Sequence, residues 1–356
     1  MNNTRVTTNL IKLVELKQKP CEKWLKYFVN GIADAHEAFA SEYDYPYVWL
    51  YENTNIDLVR WEIENNCFDW ENNSWVVAKY CPDKLDPDRF NWENASWAVV
   101  QFCSDKFDPD RFNWKRHSWA VAEYCPDKLD PDRYNWEEYS FYIAKFCPDK
   151  LDPDRYNWKE DSCAVAEFCP DKLDPDRFNW KRHSWAVAEY CPDKLDPDRY
   201  NWEEHSYYVA KHCPDKLDPD RFNWERSSYV VAEHCPDKLD PDRFNWKEDS
   251  YYVAKYCPDK LDPDRFNWER SSWAIAEYCP DKLDPDRFNW REYSWSLAIY
   301  SINTFAKYPE RIDKESIRLF SYNKRRKLLS QIRSILNIPK GVRNETSIKF
   351  RKVLLN

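Results

Sequence analysis

The sequence predicts an all-α protein, an α-solenoid of about eleven 22-residue repeats with helical segments at both ends. In each repeat a long helix is followed by a short α- or 3₁₀-helix. Three observations carry this. The string CPDKLDPDRFNW recurs ten times between Cys81 and Trp290 with one or two letters changed, always 22 residues apart. Apolar residues inside each unit return at helical spacing, and no strand pattern interrupts them.

Taking the elements in order, residues 1–66 show apolar helical patterns around Leu10–Leu16 and Trp24–Ile32, suited to an N-terminal cap over the open end of the array. A degenerate first copy begins at Trp70, and from Trp92 to Trp290 the spacing is unbroken. Calling the Trp of each copy position 1, the unit at Trp114 reads WKRHSWAVAEYC, then PDKLDPDRYN. Trp114, Ser118, Val121, Ala122 and Cys125 share one helical face. Asn113 is a suitable N-cap, and Pro126 ends the helix because it has no backbone donor. Twelve residues make a rod of about 18 Å. In the second part Asp130 reads as the cap of the short helix, with Pro131 at its first position and Asp132 at its positive end. Leu129 and Tyr134 form a hydrophobic staple around it. Units stacked about 8–10 Å apart give eleven copies a contour of roughly 100 Å. After Tyr308-Pro309, Asp313 can cap a helix with an apolar stripe of Ile317, Phe320, Leu328, Ile332 and Ile335. Its other face carries Arg318, Lys324, Arg325, Arg326, Lys327 and Arg333. The boundaries are therefore a cap at 1–66, an array at 67–300 and a basic helical segment at 301–356.

In architecture alone, the 22-residue helix pairs resemble short helical-repeat solenoids such as the leucine-rich variant repeats. The tetratricopeptide and ankyrin signatures and their 33–34-residue periods are absent.

Charge is unevenly placed within a net −9. Residues 1–66 carry −3, residues 67–300 carry −16 and residues 301–356 carry +10. An acidic body with a basic tail argues against nucleic acid wrapping the body. Only Gly31 and Gly341 are glycines, which excludes most phosphate-cradling loops. The Met1-Asn2-Asn3-Thr4 start lacks the pattern of a signal peptide, and no apolar run reaches membrane-spanning length. Of 13 cysteines, ten sit at one repeat position. Free thiols in a cytoplasmic or other reducing compartment are the simplest reading.

The candidate chemistry reduces to structural roles. Repeat cysteines separated by a helix spacing are too far apart for zinc–thiolate bonds of about 2.3 Å. Asp127, Asp130 and Asp132 crowd one loop as calcium ligands do, yet no glycine makes the sharp turn and Lys128 and Arg133 interrupt them. His117, His183, His205, His212 and His234 are scattered over some copies, which suits surface or flank positions better than a catalytic base. No nucleophile–base pair is tied to an irregular loop. No catalytic residue, cofactor or metal is expected.

At 100° per residue, positions 3, 7 and 10 lie opposite the buried face. Position 3 runs Arg116, Glu138, Glu160, Arg182, Glu204, Arg226, Glu248, Arg270, and position 10 alternates in the same way from Glu123 to Glu277. These columns read as lateral charge ladders between neighbouring repeats. The alternation fails near Cys163, and KRHSWAVAEY occurs at both 115–124 and 181–190, the mark of a copied three-repeat block. Such copying, with Lys-, Asn-, Ile- and Tyr-rich ends, fits the AT-rich genome of a virus, phage or intracellular microbe. Aromatics at position 6 form a stripe suited to inter-repeat packing, or to an exposed groove for peptide or glycan.

The functional expectation is a non-enzymatic scaffold for protein–protein interaction, with an extended or periodic partner or with itself. Its contact residues are expected among the unvarying cations of the short-helix edge: Lys128, Arg133, Lys150, Arg155, Lys172, Arg177, Lys194, Arg199, Lys216 and Arg221. The alternatives are nucleic-acid binding through Arg318, Lys324, Arg325, Arg326, Lys327 and Arg333, or acidic mimicry of nucleic acid by the body.

Overall fold

The structure, a computed structural model, describes residues 10–12, 32–34, 46–53, 57–318, 320–339 and 342–355. The chain divides into two compact units, Met1–Phe178 and Asn179–Asn356.

In the first unit β1 (Leu10–Lys12) pairs antiparallel with β2 (Ile32–Asp34), Leu10 opposite Asp34. This corrects the helical reading at Leu10–Lys12 and at Ile32. Gly31 immediately before β2 disfavours a helix entering Ile32, and β-branched Ile11 and Ile32 suit a ladder. Residues 13–31, which hold the rest of both expected patterns, lie outside the described residues. Helices α1 (Pro46–Asn53) and α2 (Leu58–Glu64) then lead into the array. Tyr47, Leu50, Leu58, Val59 and Phe68 form one core with Trp70, Val76 and Val77. Asp57 caps α2 by accepting from the Arg60 N–H at 3.0 Å. Asn66 ends α2 in the left-handed region, with the Cys67 N–H bonded to the Glu62 carbonyl, so asparagine stands where glycine is usual.

Five long helices follow: α3 (Trp70–Tyr80), α4 (Trp92–Phe102), α5 (Trp114–Tyr124), α6 (Trp136–Phe146) and α7 (Trp158–Phe168). The second unit holds six more: α8 (Trp180–Tyr190), α9 (Trp202–His212), α10 (Trp224–His234), α11 (Trp246–Tyr256), α12 (Trp268–Tyr278) and α13 (Trp290–Tyr300). Within each unit every long helix packs on the next. The eleven regular units and their neighbour-to-neighbour packing are those of an α-solenoid.

Each cap is an asparagine, as its residue type demands, save Asp69 on α3. Asn223 shows why the position tolerates so little. Its side-chain oxygen accepts from the Arg226 N–H at 3.2 Å, capping α10. Its amide nitrogen donates to the Glu203 carbonyl on α9 at 2.8 Å. Its backbone N–H donates to Ser206 Oγ on α9 at 2.9 Å. One residue thus starts a helix and fastens it to its predecessor. The indole N–H of Trp224 donates to the Pro219 carbonyl at 2.9 Å and its ring meets Phe222 edge-on, which folds the preceding turn under the helix.

The short helix is displaced from its expected place. A 3₁₀ turn covers Pro-Asp-Lys, as at Pro126–Lys128, and Asp-Pro-Asp-Arg forms one separate closed turn. In that turn the Asp130 carbonyl accepts from the Arg133 and Tyr134 N–H groups, and its carboxylate accepts from the Asp132 N–H at 3.0 Å. The residue before a proline avoids helical geometry, so Asp130 breaks the path between two prolines that each start their own turn. The staple survives: where Leu is replaced by Phe107, its ring lies 5.2 Å from Phe112.

The second unit ends in α14 (Ile302–Phe305), α15 (Lys314–Arg318), α16 (Tyr322–Ile335) and α17 (Glu345–Leu355). The single helix expected after Asp313 is therefore two, because Ser321 accepts from the Lys324 N–H and starts a new one. Asp313 does cap α15 through the Ser316 N–H at 2.9 Å, and its own N–H reaches Ser294 Oγ at 3.0 Å. That is the Asn–Ser joint again, reached after two extra residues, so α14 and α15 are a truncated further repeat. Ile317, Phe320, Leu328 and Ile332 are buried as expected, while Ile335 is exposed; Ile338, Phe350 and Leu354 complete the core.

Replacing Asn223 by Ala removes two hydrogen bonds and is expected to cost about 1–3 kcal/mol in urea unfolding. Ser206→Ala, which strands the Asn223 N–H, should cost a similar amount. Arg221→Ala, at an exposed ion pair, should move the midpoint least of the three.

Candidate interaction surface

The unvarying arginines have a structural task. Arg155 reaches back to the Pro131 carbonyl at 2.6 Å and to Asp132 at 2.7 Å, while its Nε meets its own Asp152 at 3.2 Å. Arg133, Arg177 and Arg221 repeat the pattern, with Asp110, Asp154 and Asp198 at 2.9, 2.5 and 2.6 Å. Arg199 pairs with Asp196 at 3.2 Å. Asp132 beside Arg155 accounts for a guanidinium pKa held above its usual value. The same ladder runs to the end of the second unit, where Arg311 meets Asp286 at 2.5 Å. The two aspartates of each Asp-Pro-Asp turn, such as Asp130 and Asp132, are thus occupied by arginines and by turn N–H groups. Among the described residues no group of three His, Cys, Asp or Glu side chains is placed to hold a metal ion.

The lysines are different. Lys128 donates to the Ser104 carbonyl and lies 5.7 Å from the Phe107 ring. Lys150, Lys172, Lys194 and Lys216 are exposed at the same repeat position. They recur once per repeat within each unit, Lys150 and Lys172 in the first and Lys194 and Lys216 in the second, each beside an exposed aspartate.

Burial sets the character of the cysteines and histidines. Nine repeat cysteines are buried free thiols at helix C-caps, and Cys125 is half-buried. Burial pushes the Cys81 and Cys279 thiols up to about 12, so the thiolate is suppressed. His234 is exposed and His205 and His212 are half-exposed, as expected, but the other two array histidines depart from expectation. His117 and His183 are buried, 6% exposed, and position 4 of α5 faces the preceding repeat, where His117 meets Ser96. His117 Nδ1 lies 2.9 Å from Ser96 Oγ, and His205 Nδ1 lies 2.8 Å from Ser184 Oγ. Burial, reinforced by Arg116, lowers the His117 pKa to about 4, so the ring is neutral and its Nδ1 can accept.

Position 4 directs the serine of the preceding helix. Opposite Asp161 and Asp249, the Ser140 and Ser228 hydroxyls donate across the joint at 2.6 and 2.5 Å. Opposite Ser227, Ser271 and Tyr293, the hydroxyls of Ser206, Ser250 and Ser272 instead turn back to the tryptophan carbonyl of their own helix. A hydroxyl has one proton, and the residue opposite decides its destination.

The outer columns are only partly as expected. Position 3 is exposed, and Arg270 pairs with Glu248 across the helices at 2.7 Å. Position 7 is outward only where it is tyrosine: Tyr142, Tyr208 and Tyr252 are half-exposed, while Ala120 and Val230 are fully buried, because a helix with neighbours on both sides buries a wider arc. At position 10 the lysines sit on rings, Lys145 5.8 Å from Phe141 and Lys255 4.5 Å from Tyr256. The aromatics of position 6 are half-exposed, and several of position 11 are exposed, among them Tyr124, Phe146 and Tyr278. Together with the half-exposed tyrosines of position 7 they make an aromatic edge along the long helices of each unit, from mid-helix toward the C-terminal end.

In the C-terminal segment Arg318 pairs with Glu315 at 2.5 Å, and Lys324 lies 4.2 Å from the Phe320 ring. Arg325 is half-buried, Arg326 and Lys327 are exposed, and Arg333 donates to the carbonyls of Pro339 and Val342. No helix among the described residues is long and apolar enough to cross a membrane.

Fold and joints together define a helical-repeat protein of the α-solenoid class. No family model, curated protein or solved structure matches the chain, so the likeness to leucine-rich variant repeats rests on architecture alone.

His117 generates a pH signature. The unfolded chain binds a proton near 6.5 that the folded joint refuses until about 4. Stability contributed at this site is complete above about pH 6.5 and is lost as pH falls toward 4, by about 3 kcal/mol at most. Thermal unfolding across that window should show the loss, and His117→Ser, the residue native at Ser227, should flatten it. Thiol titration at pH 8 of a Cys21→Ser chain should find exposed Cys67 fast, with the buried repeat thiols released only by denaturant.

Proposed function

We propose that the chain is a non-enzymatic helical-repeat scaffold that binds protein, as an extended or periodic partner or a second copy of itself. The observation behind this reading is the division of labour within the repeat. The cap asparagine makes the same bonds across the joint in copy after copy, and only position 4 of the joint varies. The exposed positions 2 and 3 and the exposed or half-exposed positions 6, 10 and 11 carry the rest of the variation. Within each unit the exposed lysines offer a contact that recurs once per repeat. Described cysteines that are all free suit a reducing compartment.

A second reading has its own support. Arg326, Lys327, Lys349, Arg351 and Lys352 are exposed on α16 and α17, within a segment of charge +10. That surface suits a polyanion such as nucleic acid. Acidic mimicry by the body is weaker, since the outer aspartates share their charge with arginines.

Affinity capture followed by cross-linking mass spectrometry separates the readings. The scaffold reading expects a protein partner, or a second copy, cross-linked through Lys150, Lys172, Lys194 or Lys216, and retained when residues 309–356 are removed. Oligonucleotide binding that falls steeply with salt and disappears with those residues would favour the second reading. A chain that stays monomeric and captures nothing contradicts both.

A further inference from the structure

The aromatic edge of the second unit forms a continuous floor. Successive helices are bridged ring to ring: Trp185 to Tyr208 at 5.6 Å, Tyr207 to Tyr229 at 6.3 Å, Tyr229 to Tyr252 at 5.0 Å and Tyr251 to Trp273 at 5.0 Å. All of these rings are half-exposed. Cys163 takes position 6 in α7, where Asn157 still caps the helix and Ala164, Val165 and Ala166 are still fully buried. An aromatic edge that is half-exposed from α8 to α12, at a position where one copy does without a ring, is open to a ligand.

We propose that this edge binds a proline-rich peptide in the polyproline II conformation, with a cation at about every sixth residue. This deepens the scaffold reading and rests on it. The periods decide the conformation. Helices in such an array stand about 8–10 Å apart, and one turn of polyproline II is three residues and about 9.3 Å. The ligand therefore presents the same face to each repeat. In a β-strand, residues three apart point to opposite faces. An α-helix consumes its own carbonyls, whereas polyproline II leaves them bare for the indole N–H and phenol O–H groups of the floor. Charge sets the sequence. Lys211 and Lys255 are drawn onto Tyr207 and Tyr256, at 5.5 and 4.5 Å. Glu189, Glu233 and Glu277 alternate with them at every second repeat and are half-exposed. Two repeats span about 16–20 Å, and six polyproline II residues about 19 Å.

The test uses the full chain and a fluorescein-labelled 18-residue proline peptide with arginine at every sixth position. Saturable micromolar binding by fluorescence anisotropy is expected. A Tyr229→Ser/Trp273→Ser double variant should bind at least tenfold more weakly with unchanged circular dichroism. Should that variant fail to fold, Glu233→Lys/Glu277→Lys should weaken binding in the same direction, most at low salt. No saturable binding overturns the proposal, as does binding that survives the ring substitutions. Tighter binding of an alanine-based helical peptide with the same arginines, or of an 18-nucleotide single strand, overturns it as well. Capture of a protein partner through the exposed lysines, without binding of the proline peptide, would leave the scaffold reading standing and remove this one.

Discussion

The structure depends on one half-buried backbone N–H. Each time the chain leaves a short turn to start a new helix, the cap residue brings its amide against the previous helix. Left unbonded there, such a group costs about 1–3 kcal/mol. A serine 17 residues earlier receives it, as Ser206 does for Asn223 and Ser140 for Asn157. The asparagine side chain then has to reach a carbonyl 20 residues back, Glu203 or Glu137 in these cases. Both distances are fixed by the geometry of two stacked helices, so the repeat length is fixed with them. Insertion is tolerated only where the turn itself is rebuilt, as between Ser301 and Asp313.

That constraint leaves one variable inside the joint. The serine accepts from the cap N–H and keeps a single proton to give away. Aspartate or neutral histidine in the next helix can take it, whereas serine or tyrosine there sends it back to the parent helix. The cost appears in the acceptors. Burial raises the Asp249 pKa, though the Ser228 hydroxyl and the Tyr229 N–H pull the other way, and it lowers that of His117. Position 4 is thus the place where neighbouring repeats differ chemically without changing their spacing. The arginine ladder adds a second, exposed tie across the same joint. Surface pairs of this kind hold register more than they add stability.

Much of this was legible in the sequence because it depends on residue type and period. Asn caps, Pro stops, the buried Trp–Ser–Val–Ala face and the stapled turn follow from local chemistry. What was not legible depended on neighbours. His117 looked like a surface residue because its helix alone leaves position 4 outside the apolar stripe; only the preceding helix buries it. Ala120 and Val230 at position 7 were misplaced for the same reason. Arg155 looked free because its partners are 23 and 24 residues away. The truncated repeat after Ser301 was hidden by two extra residues. The aromatic edge was visible as a stripe, but its exposure and its ring-to-ring continuity emerge only when the helices are stacked.

Hydrogen exchange at single-residue resolution tests the central joint directly. If cap amides are held by serines of the preceding helix, the N–H groups of Asn135, Asn157, Asn223 and Asn245 should exchange as slowly as those in the middle of the long helices. The exposed turn amides beside them, such as Asp127 and Asp215, should exchange far faster. Cap amides that exchange at turn rates would contradict the joint, and with it the account of why the repeat has the length it has.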